Sequence, residues 1–253
     1  MNYQEMLKIA EKASEIASIY AKDYVFDAGI VSNIDKDVKT FADQKMNEII
    51  CQHLLSTKIP VISEEFDNLF SSIPDKCWIV DPLDGTFNFT RGYPFYSVSI
   101  ALWISGKPVL AIIRDLYSKN IYSSIIDEGA NLNFNHINVS KTRKLKDAVL
   151  TTGFPSGGNY TSEYLLRFVS SVQEFKKVRA IGSASLMLCH VAKGICDAYY
   201  ENDIFLWDIA AGILMVEEAG GKVYLRKKYN SFKYEVLATN KEIYEDAYKL
   251  LIK

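Results

Sequence analysis

Carboxylates and hydroxyls beside strand ends are the groups with which this chain could do chemistry. The densest stretch is Trp78 to Phe89, reading W-I-V-D-P-L-D-G-T-F-N-F. Trp78, Ile79 and Val80 form a short apolar run of the kind that ends a buried strand. Pro82 has no N–H to give to a ladder, which predicts that the strand stops at Asp81-Pro82. Asp84-Gly85 is a turn dipeptide, and Thr86 stands where a helix can begin. Two carboxylates are therefore set at the mouth of a sheet, followed at once by backbone N–H groups and a hydroxyl. Hard oxygen ligands suit Mg²⁺ or Mn²⁺, and free N–H groups at a helix start suit a phosphate. Taken alone, the same residues could also form an ordinary polar turn.

Other acids stand at element ends. Ile59-Pro60-Val61-Ile62 reads as a short strand that delivers Ser63-Glu64-Glu65 to a sheet end, either as a solvated pair or with one glutamate as a ligand. Asp43 opens a helix, and Asp208 in E-N-D-I-F-L-W-D-I-A-A-G follows a strand at the start of another, where a capping role is the simplest alternative. Asp43, Glu64, Asp81, Asp84 and Asp208 together fit a cage for divalent ions better than five independent caps do. The three histidines, His53, His136 and His190, lie in surface, loop and apolar helix contexts, which argues against a histidine-dependent nucleophile. Neither a G-x-x-x-x-G-K-[ST] loop nor a G-x-G-x-x-G turn is present, and calcium-loop spacing is absent too.

The elements that must hold these groups follow from periodicity. Residues 3 to 25 carry an amphipathic stripe of helical spacing, and a second helix runs from about Ala42 through Leu54 after a polar turn. Tyr96 to Ile104, Pro108 to Tyr117 and Asn120 to Ile126 read as antiparallel hairpins, with a further strand near Leu132. After about residue 145, strands alternate with helices: strand 148–152, the glycine-containing loop 153–158, helix 162–175 and strand 178–180. Helix 184–192, strand 196–201, helix 207–218, two closing strands and helix 241–251 follow. The expectation is one domain over 1–253, with an α+β half to about 145 and an α/β half beyond it.

Composition bounds the function. The chain has 253 residues, 49% of them hydrophobic and 24% charged, with a net charge of −2. This is globular composition and argues against nucleic acid as the main partner. Cys51, Cys77, Cys189 and Cys196 show no C-x-x-C spacing and sit among apolar neighbours, as buried free thiols would. No basic leader, and no apolar run near the roughly 20 residues of a membrane span, is visible, so a cytoplasmic protein without a membrane partner is expected.

The stretch 78–89 resembles the signature of the inositol monophosphatase family, a superfamily of Mg²⁺-dependent, lithium-sensitive phosphomonoesterases. W-D-I-A-A-G-I-L-M-V-E-E-A-G-G at 207–221 resembles the family's second signature. V-I-S-E-E at 61–65, D-V-K-T-F-A-D at 37–43, I-G-S-A at 181–184 and D-A-Y-Y-E at 197–201 fall in family order. The resemblance implies a layered α-β-α-β-α sandwich, α/β of α+β character, of the inositol monophosphatase and fructose-1,6-bisphosphatase type. It implies two or three Mg²⁺ ions, with Mn²⁺ as a substitute. Glu64, Asp81, the Leu83 carbonyl, Asp84 and Asp208 would be their ligands. Thr86, Asp43 and Glu64 would be catalytic, with Thr86 and Asp43 positioning and deprotonating the attacking water. Gly85 and Thr86 N–H groups would bind phosphate, while Glu201, Ser183, Ala184, Asp84 and Asp208 would meet the alcohol half.

Hydrolysis of a small polyol or sugar phosphate, inositol 1-phosphate foremost, by a homodimer is the implied function. Fructose-1,6-bisphosphate, histidinol phosphate and 3′(2′),5′-bisphosphate nucleotides are alternative substrates, although Asn88-Phe89 leans away from the nucleotidase branch. A non-catalytic regulatory or binding protein retaining the fold is the alternative from another class. Phe205 stands where inositol-specific members often carry a polar residue.

Overall fold

The computed structural model describes residues 2–22, 24, 30–34, 37–65, 72–154, 160–228 and 232–252, with side chains described outside 30–38. Helix α1 (Tyr3–Ala21) starts where the Asn2 side chain accepts the Glu5 N–H. It buries Ala10, Ala13, Ala17 and Ala21, three or four residues apart, so that one smooth face packs closely. The hairpin β1 (Ile30–Ile34) and β2 (Asp37–Thr40) replaces the polar turn expected there, and the Asp35-Lys36 tip lies outside the described residues. Helix α2 (Phe41–Leu55) leads to β3 (Val61–Ser63), β4 (Lys76–Asp84) and the short α3 (Thr86–Arg91).

A meander follows: β5 (Ser97–Ile104), β6 (Lys107–Asp115), β7 (Ile121–Ile125), β8 (Ala130–Leu132) and β9 (Asn135–His136). His136, expected in a loop, pairs with Asn131 instead. The second half contains β10 (Val149–Thr152), α4 (Ser162–Val172), β11 (Lys177–Arg179), α5 (Ala184–Ala192) and β12 (Ala198–Phe205). It closes with α6 (Leu206–Glu218), β13 (Lys222–Lys227), β14 (Lys233–Thr239) and α7 (Tyr244–Leu251). Of the loop expected at 153–158, residues 155–158 lie outside the described residues.

Two larger sheets result, in the orders β3-β4-β5-β6-β7-β8-β9 and β11-β10-β12-β14-β13. They stack into five layers. Helices α1 and α2 cover one face of the first sheet through Met46, Ile50, Trp78, Val80 and Ile100. Helices α5 and α6 fill the space between the sheets, burying Leu188, Ile209 and Met215 against Ile79, Ala101 and Tyr199. Helices α4 and α7 cover the outer face of the second sheet through Phe168, Tyr200, Leu237 and Leu251. This is the α-β-α-β-α arrangement expected. It explains why α5 and α6 are apolar nearly all round: each touches a sheet on both sides.

Strand β4 departs from expectation. It does not end at Pro82 but continues to Asp84, because a bulge accommodates the proline. Asp81 pairs with Ser99 and Asp84 with Ser97, with the register shifted between them. Proline is tolerated at a bulge because no ladder N–H is needed there, and bulges re-aim side chains. Strand β12 likewise runs past Glu201, with a register shift between Asn202 and Ile204 that leaves Asp203 at φ +74°.

Candidate active site

The bulge in β4 sets two acids at one end of the first sheet, next to the helices packed between the sheets. Asp81 Oδ1 accepts the Leu83 N–H at 3.0 Å, closing a tight local turn inside the strand. Asp84 is anchored on the start of α5. Its Oδ2 accepts the Ser183 hydroxyl at 2.6 Å and the Ser185 N–H at 2.8 Å, and also the Ser185 hydroxyl. Its Oδ1 accepts the Ala184 N–H at 3.2 Å. A carboxylate at a helix N-terminus meets otherwise unpaired N–H groups and the positive end of the dipole. Ser183 and Ala184, expected at the alcohol half, thus direct these donors at Asp84.

Asp208 arrives on α6, where Oδ2 accepts the Phe205 N–H at 3.2 Å. The side chain that caps α6 is thus also the one that faces the two acids of β4. Oxygens of Asp81, Asp84 and Asp208 lie within 4.8 Å of one another. Glu64 follows β3, which runs parallel to β4 with Ser63 beside Val80, and its half-buried carboxylate reaches Asp81.

Such a cluster is costly unless positive charge enters it. Burial, then the neighbouring carboxylates, push Glu64 up to about 8. Asp81 and Asp208 are raised well above the ordinary carboxylate range for the same reasons, burial first. Asp84 is raised by burial in spite of its donors. Among the described residues, no lysine or arginine forms an ion pair with Asp81, Asp84 or Asp208; Lys39 pairs with Glu65 at 3.5 Å, and its charge opposes the rise of Glu64. Three converging carboxylates with no cationic partner among the described residues fit divalent metal ions.

A second unit adjoins the cluster. Thr86 Oγ1 donates toward Asp43 Oδ1 at 2.9 Å, with the Leu83 carbonyl also within reach at 3.0 Å. Asp43 Oδ2 accepts the Thr40 N–H at 2.7 Å and the Thr40 hydroxyl at 2.5 Å. The acid is thereby fixed by the N-cap of its own helix. Burial pushes Asp43 up to about 6, opposed by these hydrogen bonds. Gly85 has φ +85°, and a Cβ there would stand 2.7 Å from the Phe95 carbonyl. Both features require glycine at the corner that turns β4 into α3.

Glu201, from β12, is buried and raised to about 8, chiefly by burial and secondarily by Asp84. Sequence reasoning missed Thr40 and Ser185. The T-x-x-D spacing of a capping box would have flagged the first, but Ser185 shows its role only once α5 meets β4. The histidines stay outside the cluster: His53 bonds its own helix at the Ile49 carbonyl, and His190 packs edge-on against Phe95. All four cysteines are free and buried. No helix of the described residues is long and apolar enough to cross a membrane.

Residues 2–251 match the model of the inositol monophosphatase family. An inositol-1-monophosphatase of Rhizobium meliloti is 35% identical over 210 residues, covering 79% of each chain. The Nus factor SuhB of Pasteurella multocida is 35% identical over 225 residues, covering 86% of this chain and 84% of its own. The inositol monophosphatase structure from Anabaena superposes with a TM-score of 0.86 at 30% identity, covering 100% of this chain and 97% of that one. The extragenic suppressor protein suhB of Bartonella henselae gives 0.87 at 32% identity, covering 98% and 99%. With its layers, its converging acids and these relatives, the chain is a phosphomonoesterase that belongs to the inositol monophosphatase family.

Proposed function

We propose that the chain releases inorganic phosphate from a small polyol or sugar phosphate, inositol 1-phosphate first among them, with Mg²⁺ as its cofactor. The observation that carries this reading is the convergence of Asp81, Asp84 and Asp208 oxygens within 4.8 Å, next to the Thr86–Asp43 hydrogen bond. Glu64, Asp81, Asp84, Asp208 and the Leu83 carbonyl would hold the ions. Bound ions would supply charge for the phosphate oxygens and acidity for water at neutral pH.

The remaining work belongs to the chain's own groups. With its hydrogen directed at Asp43, the Thr86 hydroxyl presents lone pairs to a water placed against it and can accept that water's proton. Asp43, pushed up to about 6, is suited to share that proton. The N–H groups of Gly85 and Thr86 at the corner before α3 meet phosphate oxygens. Glu201 accepts hydrogen bonds from hydroxyls of the alcohol half.

A purely regulatory protein, suggested by the relatives named Nus factor SuhB, does not account for the acid cluster. Buried like charges weaken a fold and serve a scaffold in no way. A phosphate-release screen over polyol, sugar and nucleotide phosphates is the test. Release is expected with Mg²⁺, greatest for polyol phosphates, and none after chelation by EDTA. Release that persists undiminished in EDTA would refute the cofactor, and a preference for bisphosphorylated nucleotides would refute the substrate class.

A further inference from the structure

Strand β10 ends beside the carboxylate expected to read the substrate. It runs parallel to β12 with Leu150 beside Ala198, Thr151 beside Tyr199 and Thr152 beside Tyr200. The next pair in this register is Gly153 and Glu201, just past the C-terminal end of β10, where ligands approach parallel strands. A Cβ built on Gly153 would stand 2.6 Å from Glu201 Oε1 and 3.1 Å from its carboxyl carbon. No positive φ requires glycine at this position. The missing side chain is therefore a matter of space, and the occupant of that space is the Glu201 carboxylate.

The carboxylate has little freedom to move away. Glu201 is 4% exposed and Tyr199 is 0% exposed. Two residues apart on a strand, they share a face, which puts the Tyr199 hydroxyl beside the Glu201 carboxylate. Among the described residues that buried hydroxyl meets no group at hydrogen-bonding distance and angle. A methyl group at 153 would drive the carboxylate into this packed surround rather than into solvent.

We propose that Gly153 and Tyr199 are positioning residues that set substrate selectivity by fixing where the Glu201 carboxylate stands. Gly153 leaves the room on one side, and Tyr199 bounds it along the strand. The inference rests on the reading of Glu201 as the acceptor for hydroxyls of the alcohol half, and it adds what places that acceptor. Phosphate chemistry at Asp81, Asp84 and Thr86 does not pass through Gly153. The effect of changing it therefore belongs in the recognition of hydroxyls.

The test compares inositol 1-phosphate with p-nitrophenyl phosphate, whose alcohol half has no free hydroxyl. Gly153→Ala is expected to raise KM for inositol 1-phosphate about tenfold, because displacing a positioned group by a fraction of an ångström weakens its hydrogen bonds. The preference for inositol 1-phosphate over p-nitrophenyl phosphate should fall by a similar factor. Tyr199→Phe, which keeps the ring but removes the hydroxyl that bounds the carboxylate, should also raise KM for inositol 1-phosphate even if the alanine variant folds poorly, and an unchanged KM would overturn the part given to Tyr199. Combined with Glu201→Gln, Gly153→Ala should add little, because both act through one carboxylate.

Equal losses on both esters, or full additivity with Glu201→Gln, would overturn the inference while leaving the phosphatase reading intact. A native chain that hydrolyses neither ester would instead remove the function proposed above, and this inference with it.

Discussion

Asp81→Asn is expected to lower kcat/KM for phosphate release by about 10³-fold or more, the scale on which a metal ligand supports charge development in such reactions. The same substitution should make the metal-free protein more stable, and this opposite sign makes the prediction diagnostic. Asp81 is buried against Glu64, Asp84 and Asp208, and its carboxyl is raised well above the ordinary range. An acid raised on folding stabilises the native state fully only below its unfolded pKa of about 4. That contribution is lost as pH rises toward the folded value.

For Glu64 the folded value is about 8, so metal-free stability should decline from pH 4 toward pH 8. Added Mg²⁺ should restore most at the upper end. Asp81→Asn removes one of the repelling charges. Its metal-free Tm at pH 8 should rise by several degrees, on the order of 1–2 kcal/mol, while the increment from Mg²⁺ shrinks. Calorimetric scans at pH 5 and pH 8, with and without Mg²⁺, check both halves. A variant with near-native turnover, or one whose Mg²⁺ response is unchanged, would sink the metal assignment.

Thr86→Val is expected to reduce kcat by about 10²–10⁴-fold, the usual range for removing a proton-transfer group, with KM moved far less. Valine keeps the branched shape at the start of α3 but cannot donate to Asp43 or accept from water. Asp43→Asn should lose a comparable factor, and the double variant should lose little more, because the two side chains act as one hydrogen-bonded unit. The pH profile adds a separate readout. A base must be deprotonated to work, so native turnover should fall as pH drops through the Asp43 value. That value is about 6 from burial and local hydrogen bonds and lower once cations lie nearby. In Asp43→Asn this acid limb should disappear from kcat measured between pH 5 and 8. An unchanged limb would assign the titration to another group.

How far the chain could be read in advance differs from residue to residue. Asp81 and Asp84 were legible because their signal is local: an apolar run, a proline and a turn dipeptide within a few residues. Even there Pro82 misled, since the absence of its N–H suggested a strand end. Pairing with β5 on both sides of a bulge carries the strand on to Asp84 instead. Helices α5 and α6 were placed almost to the residue, because long apolar runs between glycine and charged segments have few other solutions. His136 was misplaced because a two-residue strand depends on its neighbour β8 and not on its own composition.

What the amino-acid order determined by itself was the set of candidate acids, the elements that carry them and the family they resemble. Local periodicity, capping and turn chemistry act over a few residues and leave a readable trace. Only the tertiary structure decided that Asp84 sits on the N-terminus of α5, about a hundred residues later in the chain. The tertiary structure alone also decided that Thr86 meets Asp43 across 43 residues and that Gly153 faces Glu201. Those contacts come from the stacking of two sheets around α5 and α6. Packing of that kind depends on surfaces assembled from distant segments, for which no short stretch of sequence carries the signal.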